Sequence, residues 1–198
     1  MDVKSIASIF ALAVSACASA NEAAPISKVP DNLKPAANES LAMIASAKGV
    51  QSYECRAASN PAGAYEWAFV APHAELSDAS GRTIGRHYEG PRWEAADGSA
   101  IEGRVEQRAD AARAGAIPWL LLATKSVGPQ GSFSSVTHVQ RVNTVGGVAP
   151  RSGCSEASAG AVAYVPYTAD YYFFSAENGT ASESKTRPSS ATLQRGYY

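Results

Sequence analysis

The sequence contains few of the features that mark nucleic-acid binding or cofactor chemistry. Its charges nearly cancel, with 17 basic against 18 acidic residues, whereas a nucleic-acid binder usually carries a basic face. It has no G-x-G-x-x-G loop and no Walker loop, so neither a dinucleotide site nor a nucleoside triphosphate site is indicated. It also lacks the G-x-S-x-G nucleophile elbow of many serine hydrolases. We therefore expect no nucleic-acid partner and no cofactor.

Metal-binding spacings are absent as well. The histidines His73, His87 and His138 lie in separate segments, and no H-E-x-x-H or C-x-x-C pair accompanies them. We expect no metal site.

Long apolar runs are missing except near the N-terminus, which has the pattern of a targeting signal. The stretch 6–16 holds 11 residues, too few to span a bilayer as a helix but typical of a signal-peptide core. Residues 1–20 are therefore interpreted as a signal peptide, with two processing routes left open. The small residues at 18–20 fit a secretory cut, whereas VSAC, which ends at Cys17, resembles a bacterial lipobox with a lipidated cysteine. The expected location is secreted or periplasmic, with lipidation as the one route to a membrane.

Cysteine is scarce, and its count predicts a single disulfide. Removal or lipidation of Cys17 leaves Cys55 and Cys154, and an even remainder in an oxidising compartment favours pairing. The two residues are 99 positions apart, so the link would stabilise the fold by about 4–5 kcal/mol on the chain-entropy argument. Two unpaired structural thiols are the competing interpretation.

Composition divides the remaining chain into three parts. Residues 21–37 hold three prolines and no apolar periodicity, which predicts a linker. Residues 38–175 form the predicted domain, and residues 176–198 are polar and predicted to be disordered. Within the domain, the segment 38–48 predicts one short helix, because its apolar residues recur at helical spacing.

After Gly49 the sequence has the pattern of an all-β protein. Short runs rich in Val, Tyr, Trp and Phe alternate with turn residues, which predicts a single antiparallel sandwich or barrel with flexible ends. The continuous apolar run 117–124 predicts a buried strand, and 161–174 predicts two strands hinged at Pro166. In the alternating run 101–110, one face carries only charged residues and is interpreted as solvated. These residues are Glu102, Arg104, Glu106 and Arg108.

One dense cluster of chemistry-bearing residues stands out, the segment 85–94 with sequence GRHYEGPRWE. Its His87, Tyr88, Trp93 and Glu94 are the predicted ligand contacts, because aromatic faces grip apolar surfaces while nearby polar groups orient a ligand. The alternative is that Tyr88 and Trp93 are inward-facing core residues of adjacent strands and that His87 bonds to a loop carbonyl. No catalytic residue is assigned.

Several segments together resemble a widespread family of secreted bacterial and fungal proteins known as a domain of unknown function. The resemblance covers about residues 36–175 and rests on GVQSYEC (49–55), YEWAF (65–69), GRHYEGPRWEAADGS (85–99), IPWLLL (117–122), VQRVNTVGG (139–147), Cys154 and YVPYTADYYFF (164–174). It implies a secreted, β-rich single domain and no established activity. Some fungal relatives carry a malate dehydrogenase label, which the residues here do not support, because the nicotinamide fingerprint is missing.

Three functional hypotheses follow from these observations. The leading one is a secreted or cell-envelope binding module without catalytic chemistry, whose ligand is a sugar, a cell-wall component or a small apolar molecule. The second is an extracellular hydrolase that uses His87 and a nearby carboxylate. The third is a structural envelope protein with no small-molecule site. The sequence leaves the oligomeric state open.

Overall fold

The computed structural model describes residues 29–59 and 63–177. The predicted signal peptide, Cys17 and all but the first two residues of the predicted tail lie outside the described residues.

Eight strands make up almost all of the regular structure. They are β1 (Glu39–Ala57), β2 (Tyr65–Ser77), β3 (Thr83–Tyr88), β4 (Arg92–Ala95), β5 (Ala100–Ala109), β6 (Trp119–Ser126), β7 (Val136–Gly146) and β8 (Val162–Ala176). Two short 3-10 helices, Asp31–Leu33 and Glu156–Ser158, are the only helices in the part of the chain that the structure describes. None of the described helices is long and apolar enough to cross a membrane.

The strands close into one antiparallel barrel. Each strand pairs with the next along the chain, and β8 returns to pair with β1 from Glu39–Ala176 to Glu54–Val162. Closure leaves no unpaired sheet edge between the first and last strands, which removes the usual site of edge-to-edge association. The predicted all-β fold is confirmed, and it takes the barrel form.

The predicted N-terminal helix is wrong, because its residues form the first half of β1. Ala45 and Ala47 point into the barrel core, and a Cβ at Gly49 would lie 2.0 Å from the backbone oxygen of His73. The apolar residues that suggested a helix do not share a buried face, because Leu41 and Ile44 are exposed while Ala45 is buried. Hydrogen bonding to both β2 and β8 outweighs the modest helix propensity of alanine.

The predicted hinge at Pro166 is also wrong, because β8 runs through this residue without a break. The Pro166 carbonyl accepts a hydrogen bond from the amide of Gly147, just beyond the end of β7. In an antiparallel strand the N–H and C=O of one residue point to the same neighbouring strand. The position of the missing proline N–H therefore also faces β7. The strand tolerates proline there because the β7 ladder has already ended.

The core has an inner and an outer part. Inside the barrel, leucine, valine and aromatic side chains pack around Trp93, Tyr171 and Phe173. On the outer wall, Val29 and Leu33 of the segment predicted as a linker pack against Trp119 and other residues of β6, β7 and β8. The described residues 29–37 therefore lie against the barrel, and burial of their two apolar side chains holds them there.

The two ends of the barrel carry different connections between strands. At one end the rings of Phe133 and Phe173 stack with centroids 4.8 Å apart, and both side chains are fully buried. At the other end are the connections β1–β2, β3–β4, β5–β6 and β7–β8, and we call this the open end. The predicted disulfide between Cys55 and Cys154 is present there, with the two Cα atoms 5.3 Å apart. It ties the long β7–β8 connection to β1.

Candidate functional site

A cavity of about 680 Å³ occupies the open end of the barrel lumen. Its volume lies within the range of sites that bind drug-sized molecules. Apolar side chains form most of its wall, and these include Phe69, Val70, Trp93, Val105, Ile117, Leu120 and Leu122. Its polar lining consists of Gln51, Tyr53, His87, Glu89, Arg108, Arg141 and Tyr171. We call this space the lumen cavity.

Two β-bulges shape the rim of the lumen cavity. The pairing of β1 with β2 skips Val70, and the pairing of β5 with β6 skips Glu106. A bulge places one extra residue in a strand and reverses which side chains face inward beyond it. As a result Phe69 and Val70 both line the cavity, although they are 52% and 47% exposed. The rim is therefore apolar and open to solvent, which suits the admission of an apolar molecule.

Three aromatic side chains form the inner wall. His87 stacks on Trp93 with ring centroids 4.4 Å apart, and Tyr171 meets the His87 ring edge to face at 5.1 Å. The barrel register explains this arrangement, because His87 of β3 lies opposite Trp93 of β4. Gly103 of β5 makes the room, since a Cβ there would lie 2.7 Å from Cζ3 of Trp93.

Several polar atoms of this wall are buried without a partner. Trp93 Nε1, Tyr171 Oη and Gln51 Nε2 make no hydrogen bond of acceptable geometry to any described residue. A buried polar group without a partner costs about 1–3 kcal/mol, so native proteins rarely leave several in one place. The three atoms are donors or can act as donors, and their residues line the lumen cavity. They would be satisfied by a bound molecule or by water.

Burial keeps His87 uncharged. Its side chain is 3% exposed, and loss of hydration lowers its pKa to about 3, with smaller contributions from Arg141 and His73 that are partly opposed by a bond to the Arg92 carbonyl. That bond, 2.8 Å from Nδ1, requires the proton on Nδ1 because a carbonyl only accepts. Nε2 therefore carries a lone pair that can accept a hydrogen bond.

The buried histidine predicts a specific pH dependence of stability. The pKa of His87 is about 3 in the folded protein and about 6.5 when unfolded. Between these values the unfolded chain binds more protons, so stability is complete above the unfolded pKa and falls as pH drops toward the folded one, by up to about 1.4 kcal/mol per pH unit. We expect urea unfolding to show that the wild type loses roughly 2 kcal/mol more than His87→Asn between about pH 7.5 and about pH 4.5. Parallel curves for the two proteins would contradict a buried, neutral His87.

The structure separates the four sequence-predicted ligand contacts into two pairs. His87 and Trp93 line the lumen cavity, whereas Tyr88 and Glu94 lie on the outer face. The Tyr88 hydroxyl donates to Glu94 at 2.8 Å, and Arg86 donates to the same carboxylate at 2.8 Å. The tyrosine and arginine bonds together lower the pKa of Glu94. Strand alternation is the cause, because neighbouring residues of β3 and of β4 point to opposite faces.

The charged side chains Arg104, Glu106 and Arg108 of the run 101–110 are exposed as predicted, but they do not share one face. Arg104 remains outside and donates to Glu106 at 2.7 Å, but the bulge at Glu106 turns Arg108 toward the lumen cavity. Sequence alternation alone could not reveal this reversal. Arg141 and Tyr171 were not among the predicted contacts, because no compact motif singles out either residue in the sequence. The irregular alternation of β7 is the signal that could have identified Arg141.

The neighbours of the His87 ring can be compared with the arrangement that acid-base chemistry would need. The carboxylate of Glu94 lies on the opposite side of the sheet from His87, and no carboxylate among residues 29–59 and 63–177 hydrogen-bonds to the His87 ring. Within the same residues no group of three His, Cys, Asp or Glu side chains is placed to hold a metal ion. The site is a cavity with a mainly apolar wall, a few hydrogen-bond donors and two arginine side chains.

Comparisons with known proteins place the chain in a family. Neither the curated proteins nor the solved structures contain a match to this sequence. A sequence profile for a family described as a protein of unknown function, DUF3455, matches residues 35–175, a span that includes the whole barrel except the last residue of β8. The chain, which folds as an eight-stranded β-barrel, belongs to this family of proteins of unknown function, DUF3455.

Proposed function

We propose that this protein binds a small, largely apolar molecule in the lumen cavity and performs no chemistry on it. The observation that carries the proposal is a cavity of about 680 Å³ with an apolar wall and buried, unpartnered donors at Trp93, Tyr171 and Gln51. Apolar walls supply affinity through burial, and a few polar atoms fix orientation. Eight-stranded barrels are wide enough to hold one small ligand when side chains leave part of the interior empty.

The proposed location is outside the cytoplasm. The Cys55–Cys154 disulfide supports it, because disulfides persist in oxidising compartments. A binding protein in such a compartment would sequester or carry a molecule that is poorly soluble in water.

A neutral fluorescent probe tests binding in the lumen directly. We expect N-phenyl-1-naphthylamine, an uncharged aromatic amine, to bind the protein and gain fluorescence. Val105 lines the lumen cavity and is 42% exposed, so Val105→Asp should fold and weaken probe binding by roughly tenfold, because it removes an apolar contact and introduces a charge that must lose water.

The matched control is Val162→Asp. Val162 is 51% exposed, belongs to β8 and does not line the lumen cavity. Its substitution carries the same change in charge and strand propensity, and we expect unaltered probe affinity. The absence of binding by the wild type, or equal losses in both variants, would refute the proposed function.

A further inference from the structure

Two arginines reach the lumen cavity at one level of the barrel. Arg108 of β5 and Arg141 of β7 are both register partners of Leu120 on the intervening strand β6. Neighbouring strands are about 4.8 Å apart, so the two Cα atoms are separated by roughly 10 Å across β6. Both side chains line the cavity. Arginine side chains are long enough to meet a single group placed between them.

The bulge in β5 is what brings Arg108 to this position. If β5 had no bulge and Glu106 were paired in register, strict alternation would place Arg108 on the outer face with Arg104. Bulges recur next to binding sites because they redirect one side chain without breaking the sheet. The outcome is a second cation in a lumen whose other wall residues are mostly apolar.

Neither arginine has an acidic partner within the part of the chain that the structure describes. Outer-face arginines of the same region are paired, since Arg86 bonds to Glu94 and Arg92 bonds to Glu102. Arg141 instead donates Nε and Nη2 to the Pro118 carbonyl, at 3.2 and 2.8 Å. These two bonds fix the guanidinium plane, with the guanidinium beside the Tyr171 hydroxyl.

Tyr171 adds a buried donor beside Arg141. The two are register partners on β7 and β8, and Tyr171 is fully buried. Its hydroxyl lies near Arg141 and Tyr167, and burial raises its pKa, so the phenol stays protonated. The Tyr167 hydroxyl and the Arg141 guanidinium face the Tyr171 oxygen, so the Tyr171 proton itself can be donated to a molecule in the cavity.

Glu89 is the carboxylate that also lines the cavity. It is exposed, belongs to the β3–β4 turn, and forms no ion pair with Arg108 or Arg141. With two inward cations against this one rim carboxylate, the charge balance of the lumen cavity is positive.

We propose that the ligand is an organic acid, with an apolar body and one anionic group. Its carboxylate, or an equivalent oxyanion, lies between Arg108 and Arg141 and accepts from the Tyr171 hydroxyl, while its apolar body packs on Leu120, Leu122 and Val105. Guanidinium groups match the geometry of carboxylate oxygens. Arg108 is exposed at the mouth of the cavity and Arg141 is half-buried. This inference rests on the proposed function and names the ligand class for the same cavity.

A pair of related probes separates the two proposals. 1-Anilinonaphthalene-8-sulfonate carries the aromatic framework of N-phenyl-1-naphthylamine plus one sulfonate. We expect Arg108→Gln to weaken sulfonate binding about tenfold or more, since a hydrogen-bonded charge is removed, and to change binding of the neutral probe by less than about twofold. Tyr171→Phe should act in the same direction, because it deletes the donor and keeps the ring.

Arg104→Gln is the matched control, because it removes the same charge from the outer face of the same strand, where Arg104 pairs with Glu106. It should leave both probes unaffected. If Arg108→Gln and Tyr171→Phe weaken neither probe, or weaken both equally, while the neutral probe still binds, the anion site is refuted and the proposed function stands. If neither probe binds the wild type, both proposals fail.

Discussion

Trp93→Ala is expected to lower the free energy of unfolding by about 3–5 kcal/mol, the usual cost of removing a large aromatic ring from a core. Trp93 is 1% exposed and contacts both His87 and Tyr171 through its ring. Its loss leaves a space that the closed barrel cannot collapse to fill, because strand register fixes the distance between opposite walls. Urea unfolding measures the change.

Tyr88→Ala is the comparison from the same cluster. Tyr88 lies on the outer face, so its loss should cost about 1 kcal/mol or less, the scale of a partly exposed hydrogen bond. If the two substitutions cost the same, the assignment of Trp93 to the lumen and Tyr88 to the outside would be wrong.

A double-mutant cycle with Gly103 tests the contact itself. Gly103→Ala places a methyl group 2.7 Å from the Trp93 ring, which should cost about 1–3 kcal/mol in the wild type. In the Trp93→Ala background the ring is gone, so the added methyl group should cost nothing and fill part of the space. Additive costs would show that the two residues do not touch.

Removal of the disulfide is the second large effect that we expect. Cys55 and Cys154 are separated by 99 residues in sequence, so the link restricts the unfolded chain and contributes about 2–5 kcal/mol. The double variant Cys55→Ala/Cys154→Ala should lose this amount in urea unfolding, and reduction of the wild type by dithiothreitol should match it. The reductant should leave the double variant unchanged.

The disulfide also affects the open end of the barrel. Backbone bonds join Cys55 to Ala161 and Gly160, and the Trp67 indole donates to Ser152, so the β7–β8 connection is held at several points. We expect the oxidised protein to bind the neutral probe more tightly than the double variant under conditions where both are folded. A double variant as stable as the wild type would contradict the account of this link.

The fold was predictable in class but not in detail. Alternating apolar runs and turn residues identify an all-β protein, and the apolar run 117–124 indicates the buried strand β6. The segment 38–48 misled because its apolar residues recur at helical spacing, whereas in the barrel it pairs with β8 from Glu39 onward. Closure of β8 onto β1 decides the outcome, and such a long-range contact leaves no local pattern.

Part of the candidate site could be predicted from the sequence, and the rest could not because it depends on contacts between strands. The cluster 85–94 was singled out by its composition, and two of its residues line the cavity. The division between His87 with Trp93 and Tyr88 with Glu94 depends on the register of β3 against β4, which the residues alone leave open. Arg108 depends on a one-residue bulge, and a bulge has no reliable sequence signature.

The central claim is that the lumen binds a ligand, and the indole N–H signals of the three tryptophans test it most directly. Trp93 lines the cavity, Trp67 donates to Ser152, and Trp119 lies in the outer cluster. In ¹H–¹⁵N spectra, saturation with N-phenyl-1-naphthylamine should shift the Trp93 indole signal and leave those of Trp67 and Trp119 in place. A Trp93 signal that stays unchanged while the probe binds would contradict the account.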